Sequence, residues 1–244
     1  MQPLLDALVR GVREALPDNL VGIYLRGSLA TGNFADGSDV DLLVATERRV
    51  SDAEFATLAA LHRRLAEAPN DYASRIEIAY IDRAALRRFT PGLAHPTLYF
   101  AEPFARSEHD TNWVLERWTV REHGVTLFGP DPKTLIDPVT PDDLREAVHA
   151  RLRDWATWAA DPGRKLWPII YTAETMCRSL YTLAHGTLPN KVDAVQWAID
   201  TLPEPWRTVV IETQALRHAE SEDRALAPDV VRFVQWVAAR DAAR

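Results

Sequence analysis

Two aspartates at alternate positions begin an apolar segment of the chain. The run Ser38-Asp39-Val40-Asp41 continues directly into Leu42-Leu43-Val44. Because residues i and i+2 of a β-strand point to the same face, we expect the Asp39 and Asp41 carboxylates to project side by side. Two adjacent carboxylates repel each other unless a cation lies between them. Mg²⁺ typically binds one or two carboxylates together with substrate phosphates, so this spacing predicts a magnesium site.

A glycine and a serine precede these aspartates and follow another apolar run. Gly27-Ser28 comes after the apolar residues 20–25, where we expect a strand to turn into a helix. Backbone N–H groups at such a turn can hold phosphate. The alternative interpretation is an edge strand with two solvated aspartates, because Asp-x-Asp alone is a common spacing. The complete order of strand, Gly-Ser, Gly32 and Ser-Asp-x-Asp favours a functional site over this alternative.

A third carboxylate, Glu77, interrupts a later apolar strand. It lies between two isoleucines that face the opposite side of the sheet. A charged residue within a central strand is costly unless it is paired or hydrated. If this strand lies beside that of Asp39 and Asp41, three acids converge, and Glu77 either binds metal or takes a proton from a hydroxyl nucleophile. A salt bridge from Glu77 to Arg75 or to another basic residue at a strand edge is the alternative.

The elements that position these acids change in character along the chain. Apolar periodicity predicts strands at 20–25, 41–45, 75–81 and 125–128, with helices at 3–16, 51–67, 83–89 and 109–121. Three prolines predict that residues 90–107 are irregular. Thr140 as N-cap and Pro141 at the first helical position begin an all-helical part, with helices at 142–160, 167–185, 191–201, 205–219 and 228–241. The prediction is a mixed α/β domain, 1–139, followed by an all-α helical bundle, 140–244.

Length and composition limit the possible classes of function. The chain has 244 residues, a formal net charge of −7 and one cysteine. One cysteine excludes an internal disulfide and a cysteine-based zinc site, and the seven histidines show no metal-ligand spacing. No apolar run approaches a membrane span, and the N-terminus does not read as a secretory signal, so we expect a cytoplasmic protein. The acidity argues against a nucleic-acid partner and is compatible with a cationic small molecule.

Three segments resemble the streptomycin/spectinomycin adenylyltransferases of the nucleotidyltransferase superfamily. Gly27-Ser28 followed by Ser38-Asp39-Val40-Asp41 is similar to the superfamily signature. Residues 121–130 resemble the segment that precedes the interdomain linker, and residues 176–198 resemble the helical domain. The resemblance covers nearly the whole chain, and it implies a nucleotidyltransferase domain followed by the helical bundle.

The resemblance implies AMP transfer from ATP, with Mg²⁺, to a hydroxyl of an aminocyclitol antibiotic. Asp39 and Asp41 would bind the metal, and Glu77 would be the catalytic base and a further metal ligand. The ATP-binding residues would be Gly27, Ser28, Ser38, Arg178 and Lys191, the last two from the helical domain, so that the site closes between the domains. From the residues alone, an ion pair with Glu174 explains Arg178 equally well, and a solvent-exposed lysine remains the alternative for Lys191.

Departures from the family pattern concern the acceptor. In members that accept streptomycin, a Trp and acidic residues lie ahead of the arginine-bearing helix; here Trp158 can serve as the Trp, with Trp155 second. Arg164 and Lys165 occupy the places where acids are expected, and like charges disfavour a guanidinium-bearing ligand. Spectinomycin is therefore favoured over streptomycin. Leu216 stands where the family has a late tyrosine near the adenine.

Further acceptor contacts are assigned to Asp110 and Glu108, with solvated loop carboxylates as the alternative. Two other functions stay open on the sequence. One is the same chemistry on another acceptor, such as a protein hydroxyl. The other is a nucleotide-binding module without turnover, against which the presence of all three acids argues. Closure of two domains around one site is compatible with a monomer.

Overall fold

The computed structural model describes residues 1–30, 32, 38–163, 168–216 and 224–242. These residues form two compact units, Met1–Val139 and Thr140–Arg244. Among the described helices, none combines the length and apolar character that a membrane span requires.

The first unit contains a mixed sheet with helices, as the sequence predicts, and the described part of this sheet has six strands rather than the four predicted. Its helices are α1 Gln2–Ala15, α2 Gly27–Ala30, α3 Asp52–Ala66, α4 Arg83–Arg87 and α5 Asn112–His123. Its strands are β1 Leu20–Leu25, β2 Val40–Thr46, β3 Ile76–Asp82, β4 Ala94–Leu98, β5 Ala105–Glu108 and β6 Val125–Phe128. The strand order is β5-β4-β3-β2-β1-β6. Among the described strands, only the β2–β3 pair is parallel, because the α3 crossover returns the chain to the same end of the sheet.

Alternation along β2 divides its side chains between two apolar layers. Leu42 and Val44 pack with Leu8 of α1 and Leu61 of α3 on one face. Leu43 and Ala45 belong to the opposite cluster, which contains Trp113 and Val120 of α5. Asp41 shares the alternation of Leu43, so its carboxylate lies on the α5 face at the start of the strand.

The prediction that residues 90–107 are irregular is wrong for part of the segment. The chain forms the hairpin β4–β5, with Pro96 inside β4 opposite Arg106. A proline lacks the N–H that a central strand needs, and this is why it signals a loop. In the described sheet, β4 pairs with β3 only at Thr97 and Leu98. Pro96 therefore pairs with β5 on one side and has no register partner in β3.

The second unit consists, in its described part, of helices and short 3₁₀ turns. The helices are α6 Pro141–Ala160, α7 Ile169–His185, α8 Lys191–Thr201, α9 Trp206–Ala215 and α10 Ala227–Ala242. Thr140 caps α6: its hydroxyl accepts from the Asp143 N–H, and the Asp143 carboxylate accepts from the Thr140 N–H, with Pro141 in the first turn. The helices predicted to begin at 167 and to end at 219 extend into residues outside the described ones.

Candidate active site

The parallel pairing of β2 and β3 places two of the predicted acids side by side. Asp41 and Glu77 are direct register partners. Each lies two residues before a residue of the α5-face cluster, Leu43 and Ala79 respectively, so both carboxylates lie on that face. Asp39 precedes β2, and its charge contributes to the pKa of Glu77, so the third carboxylate lies within electrostatic reach. The structure therefore brings Asp39, Asp41 and Glu77 together at the N-terminal ends of two neighbouring strands.

Gly27 lies directly against this acid pair. Its φ is +66°, a backbone conformation that glycine adopts without steric cost. A Cβ atom at Gly27 would lie 2.2 Å from Asp41 Oδ2, so the carboxylate occupies the space that a side chain would need. The Arg26 N–H also donates to the Asp41 carbonyl at 2.9 Å. The chain between β1 and α2 is thus joined to the start of β2. Ser28 is the second residue of α2, and Ser38 lies just before β2.

Arg26 is a buried cation next to the acids. Its guanidinium Nη1 donates to Glu116 Oε2 at 2.6 Å, and Nη2 lies 3.6 Å from Asp41 Oδ1 and 3.9 Å from Glu77 Oε2. Burial lowers the pKa of Arg26, but the charges of Glu116, Asp41 and Glu77 outweigh this effect and raise the pKa above its ordinary value. The guanidinium therefore remains charged and offsets part of the repulsion among the carboxylates.

Glu77 is held from two sides and has a perturbed pKa. The Phe100 N–H donates to Glu77 Oε1 at 3.1 Å, while Arg26 faces Oε2. Burial raises the pKa of Glu77, and the charges of Asp41 and Asp39 raise it further, against the opposing effects of the Phe100 N–H and Arg26. A partly buried carboxylate with a raised pKa is well suited to accept a proton from a hydroxyl. No ion pair with Arg75 holds Glu77 among the described contacts; Arg75 instead lies over the Phe100 ring, at 5.9 Å.

The donor set of the acid cluster fits Mg²⁺. Within the described ranges, no group of three or more His, Cys, Asp or Glu side chains already stands at metal-binding spacing. Mg²⁺ does not require such a cage, because it binds one or two carboxylates and completes its octahedron with waters and substrate phosphates. Asp39 and Asp41 supply hard oxygen ligands of this kind, at a place where like charges need a cation.

The two cations expected to bind nucleotide lie on α7 and α8. Arg178 is half-buried, and its Nε has no hydrogen-bond partner among the described residues. Lys191 is the first residue of α8, and its Nζ lies 4.0 Å from Oε2 of the buried Glu174. Among the described contacts, Glu174 faces Lys191, and a pairing of Glu174 with Arg178 stays an alternative for the role of Arg178. At this distance Lys191 offsets part of the charge of the buried Glu174.

The predicted acceptor residues differ in where the structure places them. Asp110 is exposed, accepts from the Asn112 N–H at 2.9 Å, and acts electrostatically on Tyr99, whose hydroxyl lies 3.4 Å from Trp113 Nε1. Because Arg26 and Glu77 also affect the pKa of Tyr99, Asp110 lies within electrostatic range of a residue beside the acid cluster. Glu108 pairs with Ala94, the first residue of β4. Strand β4 meets β3 through its other end, so the structure does not bring Glu108 to the acid cluster.

In the second unit, Trp158 is half-exposed on α6 and meets Trp155 edge to face at 5.2 Å. Trp155 is 6% exposed and belongs to the core, so Trp158 is the one of the two with surface for a ligand. Arg164 and Lys165 lie outside the described residues, and the structure adds nothing to the argument drawn from them. Leu216 is the C-cap of α9.

Sequence reasoning missed Arg26, Glu116 and the Phe100 N–H. Arg26 did carry a signal, because it is a charged residue inserted between an apolar strand and Gly27. Glu116 is one of several charges on α5, and nothing in its spacing marks it. The Phe100 contact is made by a backbone group, to which no residue-type pattern points.

Two models of known families match separate parts of the chain. The nucleotidyltransferase domain matches residues 5–89, which include Gly27, both aspartates and Glu77. The C-terminal domain of aminoglycoside adenylyltransferases matches residues 134–240, which include Arg178 and Lys191.

Individual relatives are similar over most of their length. An aminoglycoside (3'') (9) adenylyltransferase of Escherichia coli is 25% identical, covering 96% of this chain and 92% of the relative. A spectinomycin 9-adenylyltransferase of Staphylococcus aureus is 23% identical, covering 87% and 84%. The crystal structure of a spectinomycin adenyltransferase from Enterococcus faecialis, with ATP and spectinomycin, superimposes with a TM-score of 0.80 at 15% identity over 99% of both chains. That last similarity establishes a shared fold.

Proposed function

This chain belongs to the aminoglycoside adenylyltransferase family of nucleotidyltransferases, and from that premise we propose that it transfers AMP from MgATP to a hydroxyl of spectinomycin. The observation that carries the proposal is the register pairing of Asp41 with Glu77, on adjacent parallel strands and against the Gly27 turn. This pairing supplies a carboxylate for metal and a carboxylate for proton transfer at one place.

The chemistry divides among the residues of the cluster. Asp39 and Asp41 would hold Mg²⁺, which neutralises phosphate charge and polarises the P–O bonds when it is bound. Glu77 removes the proton from the acceptor hydroxyl, and the resulting oxygen attacks the α-phosphorus of ATP. The bond from the α-phosphorus to the bridging oxygen breaks, and pyrophosphate leaves in line with the attacking oxygen.

The remaining nucleotide contacts extend the proposal to both units. We assign residues 1–139 as the nucleotidyltransferase domain and 140–244 as the helical domain. Gly27, Ser28 and Ser38 would contact the triphosphate from the first domain. Arg178 and Lys191 would contribute cationic groups from the second, where the buried unpartnered Nε of Arg178 supports a polar ligand.

The acceptor preference depends on charge near the expected substrate residues. Trp158 and Asp110 are the acceptor contacts that we propose, since both have exposed surface. Arg164 and Lys165 stand where streptomycin-accepting members have acids, and cations there repel a guanidinium-bearing ligand. Spectinomycin lacks guanidinium groups, so this repulsion affects it less.

Pyrophosphate release from MgATP tests the proposal, with spectinomycin and streptomycin as separate acceptors. We expect release with spectinomycin, little with streptomycin, and none from Asp41→Asn with either, because that change removes a metal ligand with almost no change of shape. Release with streptomycin at a comparable rate would overturn the preference. Release with neither, from a protein that binds MgATP, would favour another acceptor such as a protein hydroxyl.

A further inference from the structure

A buried polar network in the first unit centres on Arg26, a residue that the proposed chemistry does not use. Arg26 follows β1 directly and is 7% exposed. Three carboxylates surround its guanidinium, and its Cζ lies 5.5 Å from the centroid of the Trp113 ring. A charge buried this deeply is costly unless surrounding groups compensate it.

The three carboxylates contact Arg26 unequally. Glu116 makes a charge-assisted hydrogen bond of 2.6 Å to Nη1, and its other oxygen accepts from the Asn112 side chain at 3.0 Å. Asp41 and Glu77 face Nη2 at 3.6 and 3.9 Å, which are distances for electrostatic attraction rather than for hydrogen bonds. Glu116 therefore anchors the guanidinium on α5, and the second amino group is left to face the acids of β2 and β3.

We propose that Arg26, anchored by Glu116, is a positioning residue that holds the Asp41 and Glu77 carboxylates at a common point. The two acids repel each other, and a fixed guanidinium opposes their separation before substrate binds. A rigid planar cation suits this task better than a flexible ammonium, because its amino groups keep a fixed angle to one another. Trp113 limits the movement of the guanidinium on a further side. This inference rests on the proposed function of Asp41 and Glu77.

A purely structural ion pair is the competing explanation, and it makes a different prediction. Replacing both members of a buried ion pair by apolar residues of similar size is often neutral or stabilising, whereas removing one leaves a buried charge uncompensated. If Arg26 only stabilises the fold, a double apolar replacement restores both stability and turnover. If Arg26 positions the acids, stability recovers and turnover does not.

The experiment compares the wild type with R26M, E116L and the double variant R26M/E116L. We expect each single variant to melt at a lower temperature and the double variant to recover most of that loss. At a temperature where all are folded, we expect kcat of R26M and of the double variant to fall at least about tenfold, the scale of misplacing a catalytic group. The KM for ATP should change less than about threefold, since Arg26 is buried behind the acids. R26K should retain an intermediate kcat, because its charge remains without the planar geometry.

R117M is the matched control for loss of a buried arginine. Arg117 is 2% exposed on α5 and donates to the carbonyls of Ala85, Leu86 and Trp113. We expect a lowered melting temperature with kcat preserved below it. Recovery of wild-type kcat in R26M/E116L would overturn the inference. Absence of turnover in the wild type would instead show that the proposed function has failed.

Discussion

At the residue scale, Glu77 shows how a strand position becomes a base. Burial and two neighbouring aspartates raise the pKa of Glu77, and the Phe100 N–H and Arg26 limit that rise while fixing its two oxygens. The carboxylate is therefore oriented and more basic than a solvated glutamate. The sequence placed it on the correct face by alternation alone, yet neither of the groups that hold it was foreseen.

Replacement of Glu77 by glutamine tests its assignment as the base. E77Q keeps the shape of the side chain and cannot accept the proton, so we expect kcat to fall by about 10²- to 10⁴-fold with the dissociation constant for ATP little changed. Pyrophosphate release and calorimetric titration with ATP measure the two quantities. E67Q, at the exposed end of α3, is the control. Retention of kcat within about threefold in E77Q would rule out the role of base.

At the element scale, the site depends on one crossover and one turn. The connection through α3 makes β2 and β3 parallel neighbours, and the in-register pairing sets Asp41 opposite Glu77. A capping box of Ser51 and Glu54 begins α3, and the predicted strands β1 to β3 are confirmed within one or two residues. At Gly27 the backbone also comes close to the Asp41 carboxylate, a contact that no helix or strand pattern in the sequence predicts. The hairpin β4–β5, missed because of its proline, supplies the chain that leads into Phe100.

The Gly27 turn can be tested against a second glycine in the same region. G27A places a Cβ atom 2.2 Å from Asp41 Oδ2 at a φ of +66°, whereas the Cβ atom of G32A meets no atom of the described residues within 4 Å, at a φ of +74°. Both changes impose backbone strain of about 1 kcal/mol, but only the first displaces a proposed metal ligand. We therefore expect similar losses of unfolding free energy from strain, and a fall in kcat of about tenfold or more in G27A alone. Equal effects of the two changes on kcat would contradict the contact with Asp41.

At the scale of the whole molecule, acid sensitivity follows from histidines buried without charge. His62, His95 and His109 are each less than 5% exposed, and burial lowers their pKa values from 6.5 to about 4, about 4 and about 2. The unfolded chain binds protons on these groups below pH 6.5, while the folded chain does not until the pH approaches the lowered values. The stability that these neutral histidines contribute is therefore fully present above pH 6.5, and it is lost as the pH falls below that value.

Replacement of His62 isolates one of these contributions. His62 Nε2 lies 2.8 Å from the Tyr80 hydroxyl, a contact that glutamine can retain without titrating. We expect the loss of unfolding free energy between pH 7.5 and 5.0 to be smaller by about 2 kcal/mol in H62Q than in the wild type. Denaturant unfolding at the two pH values measures this difference. H123Q, at the exposed end of α5, is the control. An unchanged pH dependence in H62Q would show that His62 does not contribute.

The sequence by itself determined the mixed sheet, the helical second unit and the three acids, because alternation and helical periodicity act over a few residues. It also predicts that Asp39 and Asp41 share one face, without any knowledge of the neighbouring strand. Only the tertiary structure decided that Glu77 stands in register with Asp41, that Glu108 of β5 pairs with the first residue of β4, and that Arg26 contacts Glu116, 90 residues away along the chain. These relations depend on which elements pack together, and packing joins residues whose separation along the chain leaves no local pattern.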